Sequence, residues 1–211
     1  MTKQDSTITF YGYPLSGHTH RVELMLSMLG LRYAKVEIDL GSRQQKSPEF
    51  LQKNRFGQVP VIDDNGAVIS DSAAILVYLA ERYGAGAWLP ADPLGRAEVQ
   101  RWLSVAAGQL AQGPALARVG LVFKKPVDMA QAHAVAAQLF ATMDAVLAKQ
   151  DYLAAPRLTI ADLALYAYTA HAPEGGIDLA PYPHLQDWLA RIEAAPGFVA
   201  MRRSNTGLWA A

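Results

Sequence analysis

Apolar positions along the first 83 residues of the chain alternate between two periods. TITFY (7–11) and RYAKVEIDL (32–40) are short runs rich in aromatic and β-branched residues, and each predicts a strand. Between them Val22, Met25, Leu26 and Leu29 recur at helical spacing, and Gly30 ends that helix. A short helix is expected around SPEFLQ. VPVI (59–62) and AVIS (67–70) then flank an Asp-Asn-Gly turn (64–66), a strong hairpin signal. Asp71 opens a helix that runs through Ile75, Tyr78 and Leu79 towards Tyr83. The predicted order is β-α-β-α-β-β-α, with a right-handed crossover joining the first two strands in parallel.

Beyond GAGAWLPADPLG (84–95), a linker by its glycine and proline content, the strand signals cease. Helical stripes take over at Val99, Trp102, Leu103 and Ala106, at Val135, Leu139, Met143 and Val146, and at Leu185, Trp188, Leu189 and Ile192. Another helix starts at Thr159, which caps it. Asp162 favours the exposed amides of its first turn, and Leu158 and Leu163 staple across that turn. The expected architecture is an α/β domain over 1–83, a linker over 84–94 and an all-α helical bundle over 95–211. Trp102, Trp188, Tyr166 and His171 fall on buried helical faces and are given no catalytic role.

Composition narrows the function by exclusion. Half of the 211 residues are apolar and 18% are charged, enough for a sizeable core. The net charge is zero, so nothing global favours nucleic acid or an anionic membrane. No apolar run reaches the roughly 18 residues of a membrane span. The opening MTKQDSTITF is polar and then strand-like, unlike a secretory signal. The absence of cysteine removes disulfides, thiolate metal sites and a cysteine nucleophile together. His18 and His20 are the only close histidine pair, and at spacing two they face different sides of a helix. No metal site is expected.

The stretch GYPLSGHT (12–19) nearly forms a nucleotide-binding loop, but His18 replaces the lysine and Pro14 lacks an amide. What remains is a strand feeding a helix, whose exposed amides suit some other anion.

Five segments in this order resemble a cytosolic glutathione transferase over essentially the full length. They are PLSGHTHRV (14–22), QKSPEF (45–50), FGQVPVI (56–62), SDSAAILVYLAERY (70–83) and LTIADLALYAY (158–168). The match is similar to bacterial members of the serine-type branch. The resemblance implies a thioredoxin-like first domain, a homodimer and a cytoplasmic location. It also implies glutathione as co-substrate, with no permanently bound cofactor. Ser16 matches the hydroxyl that activates the thiol, and Lys46, with Gln45 beside it, the position that holds the glycine carboxylate. Val59 matches the residue whose backbone pairs with the cysteinyl amide, and Pro60 the cis proline. Asp71 and Ser72 match the pair that binds the γ-glutamyl end. Arg55 and Gln45 depart from the usual pattern of the family near the carboxylate site.

Read without the family, the same residues keep plainer meanings. Lys46 is an ordinary solvated lysine, Asp71 a good helix cap, and Ser16 a capping serine. His18 and Thr19 are alternative contacts for the sulfur. Tyr13 and Leu15 are candidates to wall an electrophile pocket, and Tyr11 belongs to the core. The reading that follows is transfer of the glutathione thiolate to a small apolar electrophile. A glutathione-dependent disulfide reductase or peroxidase, and a non-catalytic ligand-binding protein on the same fold, are the alternatives.

Overall fold

The computed structural model describes residues 7–210; the polar opening segment 1–6, read above as no secretory signal, lies outside the described residues. Strands β1 (Ile8–Gly12), β2 (Tyr33–Glu37), β3 (Val61–Asp64) and β4 (Ala67–Ser70) form one sheet in the order β2-β1-β3-β4. β1 runs parallel to β2 with Ile8 opposite Tyr33, and antiparallel to β3 with Phe10 opposite Ile62. The β3–β4 hairpin turns at Asn65 (φ 53°) and Gly66 (φ 90°), left-handed conformations that asparagine and glycine tolerate. Helices α1 (Gly17–Met28), α2 (Pro48–Lys53) and α3 (Ser72–Tyr83) complete this half in the expected order.

Among the described residues the thioredoxin-like α/β half is followed by helices without strands, as read from the periodicity: α4 (Pro93–Ala107), α5 (Leu116–Val122), α6 (Met129–Leu147), α7 (Ile160–Ala170) and α8 (Pro183–Glu193). A single π-helical turn at Ala111–Ala115, which contains Pro114, leads into α5. Helix α7 is buried from Ile160 to Thr169 and packs against α1, α3 and α4. One apolar cluster therefore runs from Ile8 and Phe10 in the sheet to Trp188 and Ile192 in α8. Because α7 supports α1 from behind, the end of β1 and the start of α1 are held by both halves.

Three local expectations shift. β3 begins at Val61, not Val59, because Pro60, which follows a cis bond, has no amide to give the ladder. β2 ends at Glu37, where the Asp39 amide turns to the Gln44 side chain at 2.8 Å. The buried face of α6 is Ala132, Ala136, Leu139, Phe140, Met143 and Leu147, which leaves Val135 and Val146 half-buried beside it. Alanines carry part of that face, and their small side chains weigh little in a hydrophobicity stripe.

Candidate active site

The centre of the site is the turn between β1 and α1. A Cβ on Gly12 would lie 2.3 Å from the Thr19 Cγ2, so the strand can close on the helix only through glycine. The Tyr13 amide donates to Thr19 Oγ1 (3.1 Å) and the Ser16 amide to the Tyr13 carbonyl (3.0 Å). Ser16 is the N-cap of α1 (φ −91°, ψ 118°), and its Oγ accepts from the Thr19 amide at 3.2 Å. The capping role uses a lone pair of the hydroxyl and leaves its proton free to donate. Thr19 is buried (1% exposed), and its Oγ1 accepts from the turn and is not part of the cleft lining. Gly17 lets α1 approach α7: a Cβ there would fall 2.7 Å from the Tyr168 ring.

A second wall comes from the start of α3. Asp71 caps the helix by accepting from the Ala73 and Ala74 amides at 2.9 and 3.0 Å. It does so at φ 73°, ψ 124°, a conformation unusual for a residue with a side chain. Holding such a residue costs about 1–3 kcal/mol, and such strain concentrates at functional sites. Ser72 is buried, and its Oγ accepts from Arg21 Nη1 and lies 3.2 Å from His18 Nδ1. Its own proton therefore goes to the imidazole or into the cleft, according to the tautomer. Burial, with the Arg21 charge adding to it, pushes the His18 pKa down to about 3, so this imidazole is neutral at physiological pH. Arg21 is itself fully enclosed. Burial lowers its pKa to about 10, and its Nε and Nη2 have no partner among the described residues.

The third wall runs from Gln45 through Asn54 to Pro60. Asn54 braces it, donating to the Gln58 carbonyl (2.8 Å) and accepting from the Phe56 amide (3.0 Å). Gln45 presents a buried Oε1 with no partner among the described residues, while Lys46 is exposed and donates to the Phe56 carbonyl at 2.9 Å. Val59 is half-buried and stands outside the strand ladder.

Together these walls enclose a cleft of about 600 Å³ lined by Ser16, His18, Gln45, Val59, Asp71 and Ser72, among others. Lys46, Thr19, Tyr13 and Leu15 are not part of that lining. Tyr13 and Leu15 sit on the other side of the turn, where the Tyr13 ring lies 6.3 Å from Phe123. The cleft offers the Ser72 hydroxyl and amide for an anion, the Asp71 carboxylate for a cation, and the free Ser16 hydroxyl, with Leu40, Val59 and Pro60 as apolar lining. Among the described residues no cluster of three or more His, Asp or Glu side chains could hold a metal, and no helix is long and apolar enough to cross a membrane. Two contributors carried no signal in the sequence: the brace at Asn54 and the enclosed charge of Arg21.

Residues 6–81 match the family model for the glutathione S-transferase N-terminal domain, and residues 97–196 match that for the C-terminal domain. A curated relative from maize, "Glutathione S-transferase 3", is 32% identical over 206 residues, which cover 90% of this chain and 91% of the relative. The crystal structure of a glutathione S-transferase from Pseudomonas fluorescens [Pf-5] superposes with a TM-score of 0.87 at 32% identity, covering 93% of this chain and 99% of that one. A glutathione transferase homologue from Drosophila mojavensis, solved with bound glutathione, superposes at 0.82 with 29% identity over 90% and 89% of the two chains. A thioredoxin-like sheet, a serine that caps α1 just after β1, and both family domains in sequence agree: the chain belongs to the glutathione S-transferases, and its activity is glutathione-dependent.

Proposed function

We propose that the protein is a serine-type transferase in which Ser16 stabilises the thiolate of bound glutathione for attack on a small apolar electrophile. The observation that carries this reading is the Ser16 hydroxyl, which caps α1 with a lone pair, keeps its proton, and lines the same cleft as Asp71 and Ser72. Glutathione has two carboxylates, one ammonium and a thiol, so its site needs a contact for each. In this reading Ser72, through its hydroxyl and its uncapped amide at the start of α3, takes the γ-glutamyl carboxylate, and Asp71 takes the ammonium. Val59, beside Pro60, pairs with the cysteinyl amide in the manner of an added strand. Gln45 and Lys46 face the glycine carboxylate; Lys46 has three donors and can share one with Phe56. His18, neutral and bonded to Ser72, acts on the tripeptide and not on the sulfur, and Thr19 serves the turn.

The energetics suffice. A free thiol with a pKa of about 8.5 is mostly protonated at neutral pH, and lowering it by two units requires about 2.7 kcal/mol. A hydrogen bond to a charged group contributes roughly 1.5–3 kcal/mol, and the helix N-terminus about 0.3–1 kcal/mol. The thiolate then forms the new carbon–sulfur bond as the leaving group departs with the electron pair of the bond that breaks. Tyr13, Leu15 and Phe123 supply the apolar flank for that substrate. The reading also takes the chain as 1–83, a linker 84–94 and 95–211, working as a cytoplasmic homodimer with glutathione as co-substrate and no bound cofactor.

Ser16→Ala tests it. The bound thiol, titrated by its ultraviolet absorbance, should rise in pKa by roughly one to two units, and turnover at neutral pH should fall about ten- to a hundredfold. Activity should partly return above pH 8.5. An unchanged thiol pKa would remove the role from Ser16.

A further inference from the structure

The carbonyl of Leu15, immediately before Ser16, is held by a side chain from the helical half. Arg118 of α5 donates through Nη1 to the Leu15 oxygen at 2.6 Å and through Nε to Glu174 Oε2. The ion pair is almost completely buried, with side chains 1% and 0% exposed. Glu174 is itself fixed: its Oε1 accepts from the Ser204 amide, and His171 Nδ1 lies 3.3 Å away. The Phe123 ring, which flanks Tyr13, lies 6.0 Å from the guanidinium. A continuous chain of contacts thus runs from Ser204 through Glu174 and Arg118 to the turn that carries Ser16.

A buried ion pair is weak evidence of stability, since packed apolar residues of the same volume often do as well. What only arginine supplies here is a planar fork that serves a carboxylate and a carbonyl at once. The pair is neutral as a whole, so it adds little net field to the cleft and works through geometry. Geometry matters at this point, because a misplacement of about 1 Å in a catalytic group can cost about a hundredfold in rate.

We propose that Arg118, oriented by Glu174, is a positioning residue that sets the placement of the Ser16 hydroxyl through the Leu15 peptide. This rests on the reading of Ser16 given above. It makes the helical half a contributor to thiol activation through the backbone of the turn.

Removing Arg118 alone would strand Glu174 as a buried charge, so the test replaces both: Arg118→Met with Glu174→Gln. Glutamine keeps an acceptor for the Ser204 amide, and methionine fills the vacated volume. With the melting temperature retained and glutathione affinity changed less than about threefold, turnover should fall about tenfold. The bound thiol pKa should rise by about one unit, the same factor of ten. Combined with Ser16→Ala, the paired replacement should shift the thiol pKa no further. Should the pair fail to fold, Arg118→Lys provides the same readout, because it keeps a charge for Glu174 but loses the fork. A folded variant with unchanged thiol pKa and turnover, while Ser16→Ala raises the pKa, would overturn the proposal alone. Equal losses with and without Ser16→Ala would also overturn it, since Arg118 would then act elsewhere. No shift in Ser16→Ala itself would overturn the proposal together with the reading beneath it.

Discussion

Helices α3 and α7 begin with the same device and put it to different uses. At α7, Thr159 and Asp162 form a reciprocal capping box: the Thr159 amide donates to Asp162 Oδ2 at 2.9 Å, and the Ala161 amide to Thr159 Oγ1 at 3.3 Å. Both residues are completely buried, and Asp162 Oδ1 also accepts from the Leu153 amide and from Trp188 Nε1. Every lone pair serves the protein. At α3, Asp71 caps with one oxygen only, is exposed to the cleft, and sits at positive φ. A cap enclosed by four protein donors is a device for stability, whereas a cap open to solvent and under strain is available to a ligand.

The sharpest way to break that contrast is Asp162→Ala. Its removal strands the Leu153 and Thr159 amides, the Thr159 hydroxyl and the Trp188 indole in the core. Each orphaned group costs about 1–3 kcal/mol, so a loss of roughly 4 kcal/mol or more is expected in denaturant unfolding. Activity per folded molecule should hold. A loss below about 1 kcal/mol would mean that the buried cap is not a stability device.

Acid should separate the two halves next. His18 and His20 are buried neutral bases with pKa values near 3 and 4, against an ordinary value of 6.5. As pH falls below 6.5 the unfolded chain takes up protons that the folded chain refuses. Each histidine then removes about 1.4 kcal/mol of stability per pH unit until its folded pKa is reached. Glu174 in the helical half behaves differently. Burial raises its pKa, but His171, the Ser204 amide and Arg118 outweigh this and hold it at about 2. Its contribution is present above 4.5 and is lost only as pH falls from there towards 2. His20→Gln, which can still donate to the Val199 carbonyl, should flatten the slope between pH 4 and 6.5 and leave the lower window in place. Unfolding free energies measured across pH 3–7 check both windows.

These contrasts also mark what the sequence could show. Caps, the Asn65–Gly66 turn and the helix starts at Asp71 and Thr159 are written in neighbouring residues, and all appear where the local chemistry places them. Local chemistry marks Ser16 and Asp71 as helix starts, whereas their grouping with Gln45, Val59 and Ser72 into one site comes from the family resemblance. Burial was not legible. Nothing local distinguishes the open carboxylate of Asp71 from the enclosed one of Asp162, and nothing joins Leu15 to Arg118 across 103 positions. Arg21 reads as a helix-surface charge until α7 covers it. Such facts belong to packing between segments distant in sequence.

A smaller effect dissects Asp71 itself. Asparagine caps about as well as aspartate, so Asp71→Asn should leave the melting temperature nearly unchanged. It removes the charge proposed to meet the ammonium and should weaken glutathione binding by about tenfold, measured by calorimetry. Asp71→Ala should show the same weakening together with a loss of about 0.5–2 kcal/mol in stability. Equal affinity in Asp71→Asn and the parent would reduce this residue to a cap like Thr159.

Lys46→Ala should have the smallest structural effect of all. The side chain is exposed, and its hydrogen bond to the Phe56 carbonyl lies at the surface. Exposed substitutions of this kind usually change stability by less than about 0.5 kcal/mol. If the ammonium shares a glycine carboxylate with Gln45, glutathione affinity should still fall a few-fold, since a solvent-exposed ion pair contributes about 0.2–1 kcal/mol. Raising the salt concentration should shrink the difference between variant and parent, because screening weakens an exposed pair and spares the enclosed contacts at Ser72. Lys46 would then be the counterpart of Asp162, a charge whose removal the ligand registers and the fold does not. An affinity that is unchanged at low salt would take Lys46 out of the site and leave Gln45, whose side-chain Nε2 can donate to a carboxylate, as the residue that faces that end of the tripeptide.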